Sequence, residues 1–268
     1  MIEPKLESNE FDILDIISSN GGPFGKVFSL IHNVSPTDIP VLIVGENGTL
    51  KQEFAREIHK HSKRKNGKLL TVNCANPDAK SLEIELFGCE NRSNNSTMHR
   101  VGKIEQAYGG SIMLQEISEA PIPIQTRLLQ VLQDYEIYRV GGHTIVPVDV
   151  RIIATTSHNL EIDVNEGKFR KDLFYRISVF PIIIPSLRGQ YELIEYLLNV
   201  FLKISSKKFN KKIKGISQDA MMLLRNCDWT ENISELKNVV EYLVKTEKTD
   251  EIQLNTLPKE IILKQISK

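Results

Sequence analysis

Several features are scarce in this chain of 268 residues, and each absence excludes a class of protein. The three cysteines, Cys74, Cys89 and Cys227, have no paired spacing, which argues against a zinc site or a disulfide framework and favours a reduced, cytosolic setting. No apolar run approaches the length of a membrane span, and the acidic start MIEPKLESNEFDILDI lacks the features of a signal peptide. We therefore expect a cytoplasmic protein that makes no membrane contact.

Net charge is also absent, because 34 Lys and Arg residues balance 34 Asp and Glu residues. This balance gives no sign of a nucleic-acid or membrane surface. The basic stretch KKFNKKIK at residues 207–214 stands out, with a weaker one, HKHSKRK, at residues 59–65. Both are predicted to be solvated loops or helix ends. Hydrophobic residues make up 41% of the chain, enough for one large domain or a large domain with a small companion.

The order of apolar runs and helical patterns divides the chain. After a short leader, residues 1–20, the apolar runs PVLIVG, KLLTVNCA, GSIMLQEI and VDVRIIATTS alternate with predicted helices, among them residues 50–61, 81–86 and 122–134. Such runs, separated by helices, indicate an α/β fold with a parallel sheet. After VFPIIIPSL only helical spacing follows, with Ser217 as a plausible N-cap. We predict an α/β domain over residues 21–187, a small all-helical domain over 188–258 and a tail over 259–268.

The stretch VLIVGENGTLKQEFAREIH, residues 41–59, is similar to a phosphate-binding loop with two parts changed. A strand enters a glycine turn, and Lys51 then opens an amphipathic helix, an order that places phosphate at a helix N-terminus. The consensus has glycine at position 50 and a hydroxyl at position 52, where this chain has Leu50 and Gln52. A plain strand, turn and helix with an incidental lysine is the alternative. The candidate nucleotide-binding residues are Gly45, Glu46, Asn47, Gly48, Thr49, Leu50, Lys51 and Gln52.

Seven further segments continue this pattern along nearly the whole chain. They are VNCA, ELFGCE, GKIEQAYGGSIML, QTRLLQVLQDYEIYRVGG, VDVRIIATT, GKFRKDLFYRISVFPIIIPSLR and NISELKNVVE. In their order and spacing, from about residue 21 to 258, the chain resembles the AAA+ module of bacterial enhancer-binding proteins, the sigma-54 interaction domain. The resemblance implies a P-loop domain with a parallel sheet flanked by helices, a C-terminal helical lid, and ATP or ADP as ligand.

The resemblance also assigns roles to single residues, and several of them are altered. Gln115 stands where the family has the aspartate that holds Mg²⁺. Glu116, which polarises the attacking water, is kept, and so is Asn73, the switch residue that would hold Glu116. Ser157 replaces a sensing asparagine, and Ser234, in ENISEL, replaces the arginine of the family's GNVREL. Because an amide is a poor Mg²⁺ ligand, the sequence argues against Mg²⁺. The altered loop leaves both a weakened ATP or ADP pocket and a dead one open.

Two arginines of FRKDLFYR, Arg170 and Arg176, match family residues that reach into the site of a neighbouring subunit. The alternative is an ion pair with Asp172 on a helix surface. We favour retained contacts with a second copy or with an intact enhancer-binding relative. The family's GAFTGA loop, which contacts sigma-54, corresponds to NRSNNST, residues 91–97, which has no aromatic residue and no glycine. We expect a solvated loop there and no contact with sigma-54 RNA polymerase.

These changes favour a degenerate transcription regulator of the enhancer-binding type, with ATP binding weakened or lost and hydrolysis lost. Two alternatives stay open. One is a working ATPase that activates sigma-54 by an unusual route, and the other is a scaffold or ligand-sensing module. The helix-turn-helix that usually follows the lid in this family is not found, so no DNA-binding domain is expected within this chain.

Overall fold

The structure, a computed structural model, describes residues 13–19, 22–93, 96–259 and 261–262. Its helices are α1 Ile13–Ser19, α2 Gly22–Val34, α3 Lys51–Lys60, α4 Ala79–Phe87, α5 Lys103–Gln106, α6 Ile122–Asp134, α7 Leu160–Asn165, α8 Lys171–Ile177, α9 Tyr191–Lys208, α10 Gln218–Arg225 and α11 Asn232–Thr246. Its strands are β1 Val41–Val44, β2 Leu69–Asn73, β3 Gly88–Ser93, β4 Ser96–Val101, β5 Ser111–Gln115, β6 Glu136–Tyr138, β7 Ile145–Pro147, β8 Arg151–Thr156, β9 Phe180–Ile183, β10 Gly215–Ile216 and β11 Glu251–Ile252.

The chain divides into two compact units. The sheet unit comprises Gly22–Gly45 and Lys51–Ile184, and the helical unit comprises Met1–Gly21, Glu46–Leu50 and Pro185–Lys268. The turn of the phosphate-binding loop, Glu46–Leu50, thus belongs with the helical unit, although β1 and α3 on either side of it belong to the sheet unit. Sequence order alone does not indicate this assignment.

The sheet unit is built on a five-stranded parallel sheet in the order β2-β5-β8-β1-β9. The central strand β8 is buried along its whole length, and β5 is buried except at its last residue. Strands of this kind need helices on both faces, and the predicted α/β fold is confirmed. Arg151, the first residue of β8, connects this strand to the end of α2. Its buried guanidinium donates to the carbonyls of Val34 and Ser35 at 2.9 and 2.8 Å.

Two antiparallel hairpins also belong to the sheet unit. Strands β3 and β4 pair from Gly88 and Val101 to Ser93 and Ser96, and β6 pairs with β7. The prediction of a loop over residues 91–97 was therefore wrong, because its described residues lie on paired strands. Residues 94 and 95 and the side chains of 91–98 lie outside the description. The polar sequence gave no apolar alternation from which these strands could be predicted.

In the helical unit, α9 and α11 bury apolar stripes that include Leu197 and Leu198 on α9 and Leu236 and Val240 on α11. Trp229, also buried, donates its indole N–H to the carbonyl of Leu224 at 3.0 Å. The predicted N-cap is confirmed, since the Ser217 hydroxyl accepts from the backbone N–H of Ala220. Among the described helices, none combines the length and the apolar character needed to cross a membrane.

Candidate nucleotide site

Two residues of the phosphate-binding loop, separated by one position, have a positive φ. Gly48 has φ of 71°, and Leu50 has φ of 66°. Thr49 lies between them and bonds back to the carbonyl of Glu46, through its hydroxyl at 2.7 Å and its N–H at 3.4 Å. The left-handed region suits glycine and is strained for a bulky residue. The loop thus keeps a turn that favours glycine at position 50, although the residue there is leucine.

The tip of this loop packs on the start of α11 within the helical unit. The carbonyl of Gly48 accepts from the N–H of Ser234 at 3.2 Å, and the Ser234 hydroxyl lies 3.4 Å from the same oxygen. A Cβ on Gly48 would come within 1.9 Å of the carbonyl oxygen of Glu231. Ser234, predicted as a lost sensing position, therefore contacts the loop through its backbone N–H and its hydroxyl, both directed at the carbonyl of Gly48.

Asn232 makes the other contact with the loop, and sequence reasoning missed it. Its side chain is fully buried and donates to the carbonyl of Asn47 at 2.9 Å and to the carboxylate of Glu46 at 3.2 Å. Its Oδ1 accepts from the N–H of Leu187 at 2.8 Å. Asn232 itself has φ of 48°, a conformation that asparagine tolerates better than most residues. The signal was available, since this asparagine is common to ENISEL here and GNVREL in the family.

Lys51, the first residue of α3, is buried in the sheet unit, with 7% of its side chain exposed. Its Nζ donates to the carbonyl of Gly45 at 2.8 Å and lies 3.1 Å from Oε1 of Glu116. The structure thus brings together the lysine of the loop and the glutamate that follows β5, a direct contact that the sequence did not predict. The lysine is engaged by protein groups at both contacts.

Glu116 is held on its other side by Ser157. Its Oε2 accepts from both the N–H and the hydroxyl of Ser157, each at 2.8 Å. Burial alone would raise the pKa of Glu116, but the two bonds from Ser157 and the charge of Lys51 outweigh it and hold the pKa below its usual value. The carboxylate is therefore an ionised partner for Lys51 at the start of α3, and it is also held by Ser157, which follows β8.

Asn73 does not hold Glu116 in this structure, which corrects the predicted contact. Its Oδ1 accepts from the N–H of Ala75 at 3.0 Å, a local turn at the end of β2. Glu116 has φ of 48°, and the bonds described for its carboxylate go to Lys51 and Ser157. Asn73 is instead the register partner of Gln115 on the adjacent strand.

The donor set does not fit Mg²⁺. Gln115 presents an amide where a carboxylate would be needed, and Gln52 presents another where a hydroxyl would be needed. Glu116, the neighbouring carboxylate, is committed to Lys51 and Ser157. Within the described residues, no group of three or more His, Cys, Asp and Glu side chains could hold a metal ion. The residues present at the end of β5 and the start of α3 therefore do not provide the carboxylate and hydroxyl ligands of a Mg²⁺ site.

The two arginines at α8 are occupied within their own chain. Arg170 forms two bonds with the carboxylate of Asp172, at 3.0 and 2.7 Å, and one with the Thr126 hydroxyl at 3.1 Å. The hydrogen bond with Asp172 holds the pKa of Arg170 above its ordinary value. Arg176 donates to the carbonyl of Leu132 at 3.2 and 3.4 Å. The surface ion pair weighed above is thus present, and contact with another subunit stays a prediction.

Two protein-family models match this chain. The family model of the sigma-54 interaction domain matches residues 17–183, and that of the AAA+ ATPase lid domain matches residues 188–268. The chain belongs to the sigma-54 interaction domain family. It is 38% identical over 265 residues to the DNA-binding transcriptional regulator NtrC of Proteus hauseri, covering 97% of this chain and 56% of that protein. It is 41% identical to the nitrogen fixation protein AnfA of Azotobacter vinelandii, over 90% of this chain and 46% of that protein.

Solved structures of the sigma-54 interaction domain family agree with the fold. NtrX from Brucella abortus in complex with ADP superposes with a TM-score of 0.82 at 36% identity, covering 93% of this chain and 57% of NtrX. The complex of NtrX with ATP gives a TM-score of 0.81 at 38% identity, covering 89% of this chain and 53% of NtrX. The chain spans about half the length of the relatives it matches.

Proposed function

We propose that this chain is the AAA+ module of an enhancer-binding transcription regulator that has lost ATP hydrolysis and contact with sigma-54. The observation that carries the proposal is the group formed by Lys51, Glu116 and Ser157 beside Gln115. Hydrolysis by a P-loop protein needs a metal-holding acid and a carboxylate that is able to orient water. Here the acid is an amide, and the remaining carboxylate is bonded to the phosphate-loop lysine.

Weak binding of ATP or ADP is part of the proposal. The family relative NtrX is solved with both nucleotides, and Lys51 and the two glycines of the loop are kept in this chain. A phosphate would have to compete with Glu116 for Lys51, and the isobutyl group of Leu50 stands where close approach of the loop backbone to a phosphate favours glycine. Both features lower the affinity expected for a phosphate at the loop.

The module then acts through subunit contacts, with a second copy or with an intact relative. Arg170 lies on the surface at the start of α8, with 36% of its side chain exposed, so a partner's acidic group could compete with Asp172 for it. Subunit contact does not require hydrolysis and can therefore outlast it. Sedimentation velocity of the chain, alone and mixed with an intact family member, tests this part. A chain that stays monomeric in both samples would contradict it.

The sharpest test of the site is titration of a fluorescent ATP analogue with and without Mg²⁺. For the natural chain we expect weak or no binding and no tightening by Mg²⁺. Gln115→Asp should introduce Mg²⁺-dependent tightening, because it restores a carboxylate at the end of β5. Gln218→Asp, the same substitution at an exposed position of α10, is the control and should leave the titration unchanged.

The rival function, a working ATPase that activates sigma-54 by an unusual route, is favoured by the retention of both Lys51 and Glu116. It predicts that Mg²⁺ tightens binding to the natural chain at least tenfold. That result would overturn the proposal. A scaffold or ligand-sensing role would instead be indicated if proteins unrelated to transcription co-purify with the chain.

A further inference from the structure

Six of the 34 basic residues of the chain lie close together in sequence, at the end of α9 and in the turn after it. Residues 203–214 contain six lysines and no acidic residue. Since the whole chain is neutral, the remainder carries six more acidic than basic groups. Positive charge is therefore concentrated on one short stretch of the helical unit, which total net charge does not reveal.

Packing in the helical unit adds the end of α11 to this segment. The Lys211 ammonium donates to the carbonyls of Lys245 and Glu247, at 2.6 and 2.7 Å. The ammonium groups of Lys208 and Lys245 both lie over the Phe209 ring, 5.2 and 4.7 Å from its centre. We call the resulting surface the lysine face. It consists of Lys208, Lys211 and Lys245, which these contacts join, together with the lysines within five residues of them in sequence, which are Lys203, Lys207, Lys212, Lys214 and Lys248.

Local partners neutralise only part of the lysine face. Lys208 pairs with Glu241 at 3.1 Å, and Lys214 pairs with Asp250 at 2.6 Å. Residues 241–251 contribute four acidic groups against the eight lysines of the face. The C-terminal ends of α9 and α11 add roughly half a negative charge each. Because Lys207 also has a partner of its own, a surplus of about two to three positive charges is left, more than capping of the two helices requires.

The chemistry of the face favours one kind of polyanion. It contains lysines and no arginine, so it offers mobile point charges in place of the planar forks that read base edges. Phe209, the aromatic ring among these lysines, is half-buried and covered by two ammonium groups, so it is poorly placed to stack on a base. Double-stranded DNA has a high density of backbone charge, about one phosphate per 1.7 Å of axis. The family of this chain is one of transcription regulators, which work beside DNA.

From these observations we infer that the lysine face of the helical unit binds the phosphate backbone of double-stranded DNA without reading its sequence. The inference goes beyond the proposed function and does not depend on nucleotide binding, subunit contact or sigma-54. If DNA binding by the lysine face is disproved, the proposed function is unaffected. If the proposed function is disproved, DNA binding by the lysine face is unaffected.

The test is fluorescence anisotropy of a labelled DNA duplex of mixed sequence titrated with the full chain at several salt concentrations. With about three phosphates contacted, the logarithm of the affinity should fall with a slope near −2.7 against the logarithm of salt, or about 20-fold when salt triples. Two duplexes of unrelated sequence should bind alike. A single strand of the same length should bind no more tightly than the duplex.

Two matched variants complete the experiment. Lys203→Gln with Lys212→Gln removes two exposed charges from the lysine face and should reduce the salt slope by about 2. Lys63→Gln with Lys65→Gln removes two exposed charges from the weaker basic stretch in the sheet unit and should leave the slope unchanged. Circular dichroism establishes that each variant is folded.

Three results would overturn the inference. The first is no binding to the duplex at 50 mM salt, where a site of about three phosphate contacts should be detected. The second is an equal loss in the two variants, which would show that net charge alone matters. The third is tighter binding to polyglutamate than to the duplex at equal salt, which would assign the face to an acidic protein partner.

Discussion

Leu50 occupies a backbone conformation that glycine adopts without strain. Its φ of 66° lies in the left-handed region, which costs a residue with a side chain about 1–2 kcal/mol. A side chain at this position of a phosphate-binding loop can obstruct either a left-handed turn or the close approach of a phosphate. The structure separates these effects, because the turn is formed despite leucine, and the strain is held by the packing around it.

We predict that Leu50→Gly strengthens nucleotide affinity by about tenfold, because it removes the isobutyl group from a loop that a phosphate must approach closely. Gln52→Thr should change affinity less, because Gln52 is exposed at the first turn of α3. Isothermal titration calorimetry with ATP on both variants and the natural chain decides between them. Equal effects, or a larger gain from Gln52→Thr, would count against the steric account.

Glu247 organises the turn after α11 through an unusual set of donors. Its carboxylate accepts from the N–H groups of Lys248, Thr249 and Gln253, and from the Thr256 hydroxyl at 2.5 Å. Burial alone would raise its pKa, but these bonds together lower the pKa of Glu247 to about 2. The ordinary pKa of 4.5 applies in the unfolded chain, so the folded state gains stability from the ionised form.

That stabilisation should be fully present above pH 4.5 and should fade as pH falls toward 2. Between pH 7 and pH 3 it should shrink by about 2 kcal/mol out of about 3. We therefore expect Glu247→Gln to destabilise the chain clearly at pH 7 and much less at pH 3, in urea unfolding followed by Trp229 fluorescence. Glu251→Gln, at an exposed neighbour, is the control. The same difference at both pH values would disprove this role.

The contact between the phosphate-binding loop and the start of α11 depends on a glycine. Gly48 and Gly109 have the same φ of 71°, but a Cβ on Gly48 would meet the carbonyl of Glu231 whereas one on Gly109 meets nothing within 4 Å. An alanine at Gly109 therefore carries only the conformational cost of about 1–2 kcal/mol. An alanine at Gly48 must also push the loop away from α11.

We predict that Gly48→Ala abolishes the hydrogen-exchange protection of the Ser234 amide, which donates to the Gly48 carbonyl. Gly109→Ala should leave that amide protected while it lowers global stability by the common conformational cost. Amide exchange measured by NMR distinguishes the two outcomes, because local opening and global unfolding have different exchange rates. Protection of Ser234 that survives in Gly48→Ala would mean that the loop is not anchored by this contact.

Predictability from sequence differs between elements for physical reasons. The core strands β1, β2, β5 and β8 were predictable because their buried runs are apolar and lie between helical patterns. The β3–β4 hairpin was not, since its residues are polar and its pairing is fixed by neighbouring structure. The contact of Asn232 with Asn47 joins positions 185 apart in sequence, which no local pattern reveals.

For the site, sequence identified the residues, and the structure determined their partners. Lys51 and Glu116 were each named from their motifs, but the ion pair between them at 3.1 Å was not predicted. The bond of Glu116 with Ser157 at 2.8 Å, in place of the expected contact with Asn73, also required the structure. Residue identity does not determine which polar group a side chain contacts.

For the chain as a whole, we predict no activation of a sigma-54 polymerase, even at high concentration. Residues 91–97 contain no aromatic residue and no glycine, so they offer little apolar surface for a partner to bury. Restoring function should need both GAFTGA grafted over residues 92–97 and Gln115→Asp. Open-complex formation on a supercoiled sigma-54 promoter measures this, with an intact family member as the positive control. Activation by the natural chain would refute the prediction.

Phosphate release from ATP, with and without Mg²⁺, tests the loss of hydrolysis most directly. Losing one preorganised charge-stabilising group commonly costs about 10²–10³ in rate, and this chain has changes at Gln115, Ser157 and Ser234. We predict that the purified chain releases phosphate no faster than its Lys51→Ala variant, with no dependence on Mg²⁺. Mg²⁺-dependent release at about one turnover per second or faster, abolished by Lys51→Ala, would contradict the account.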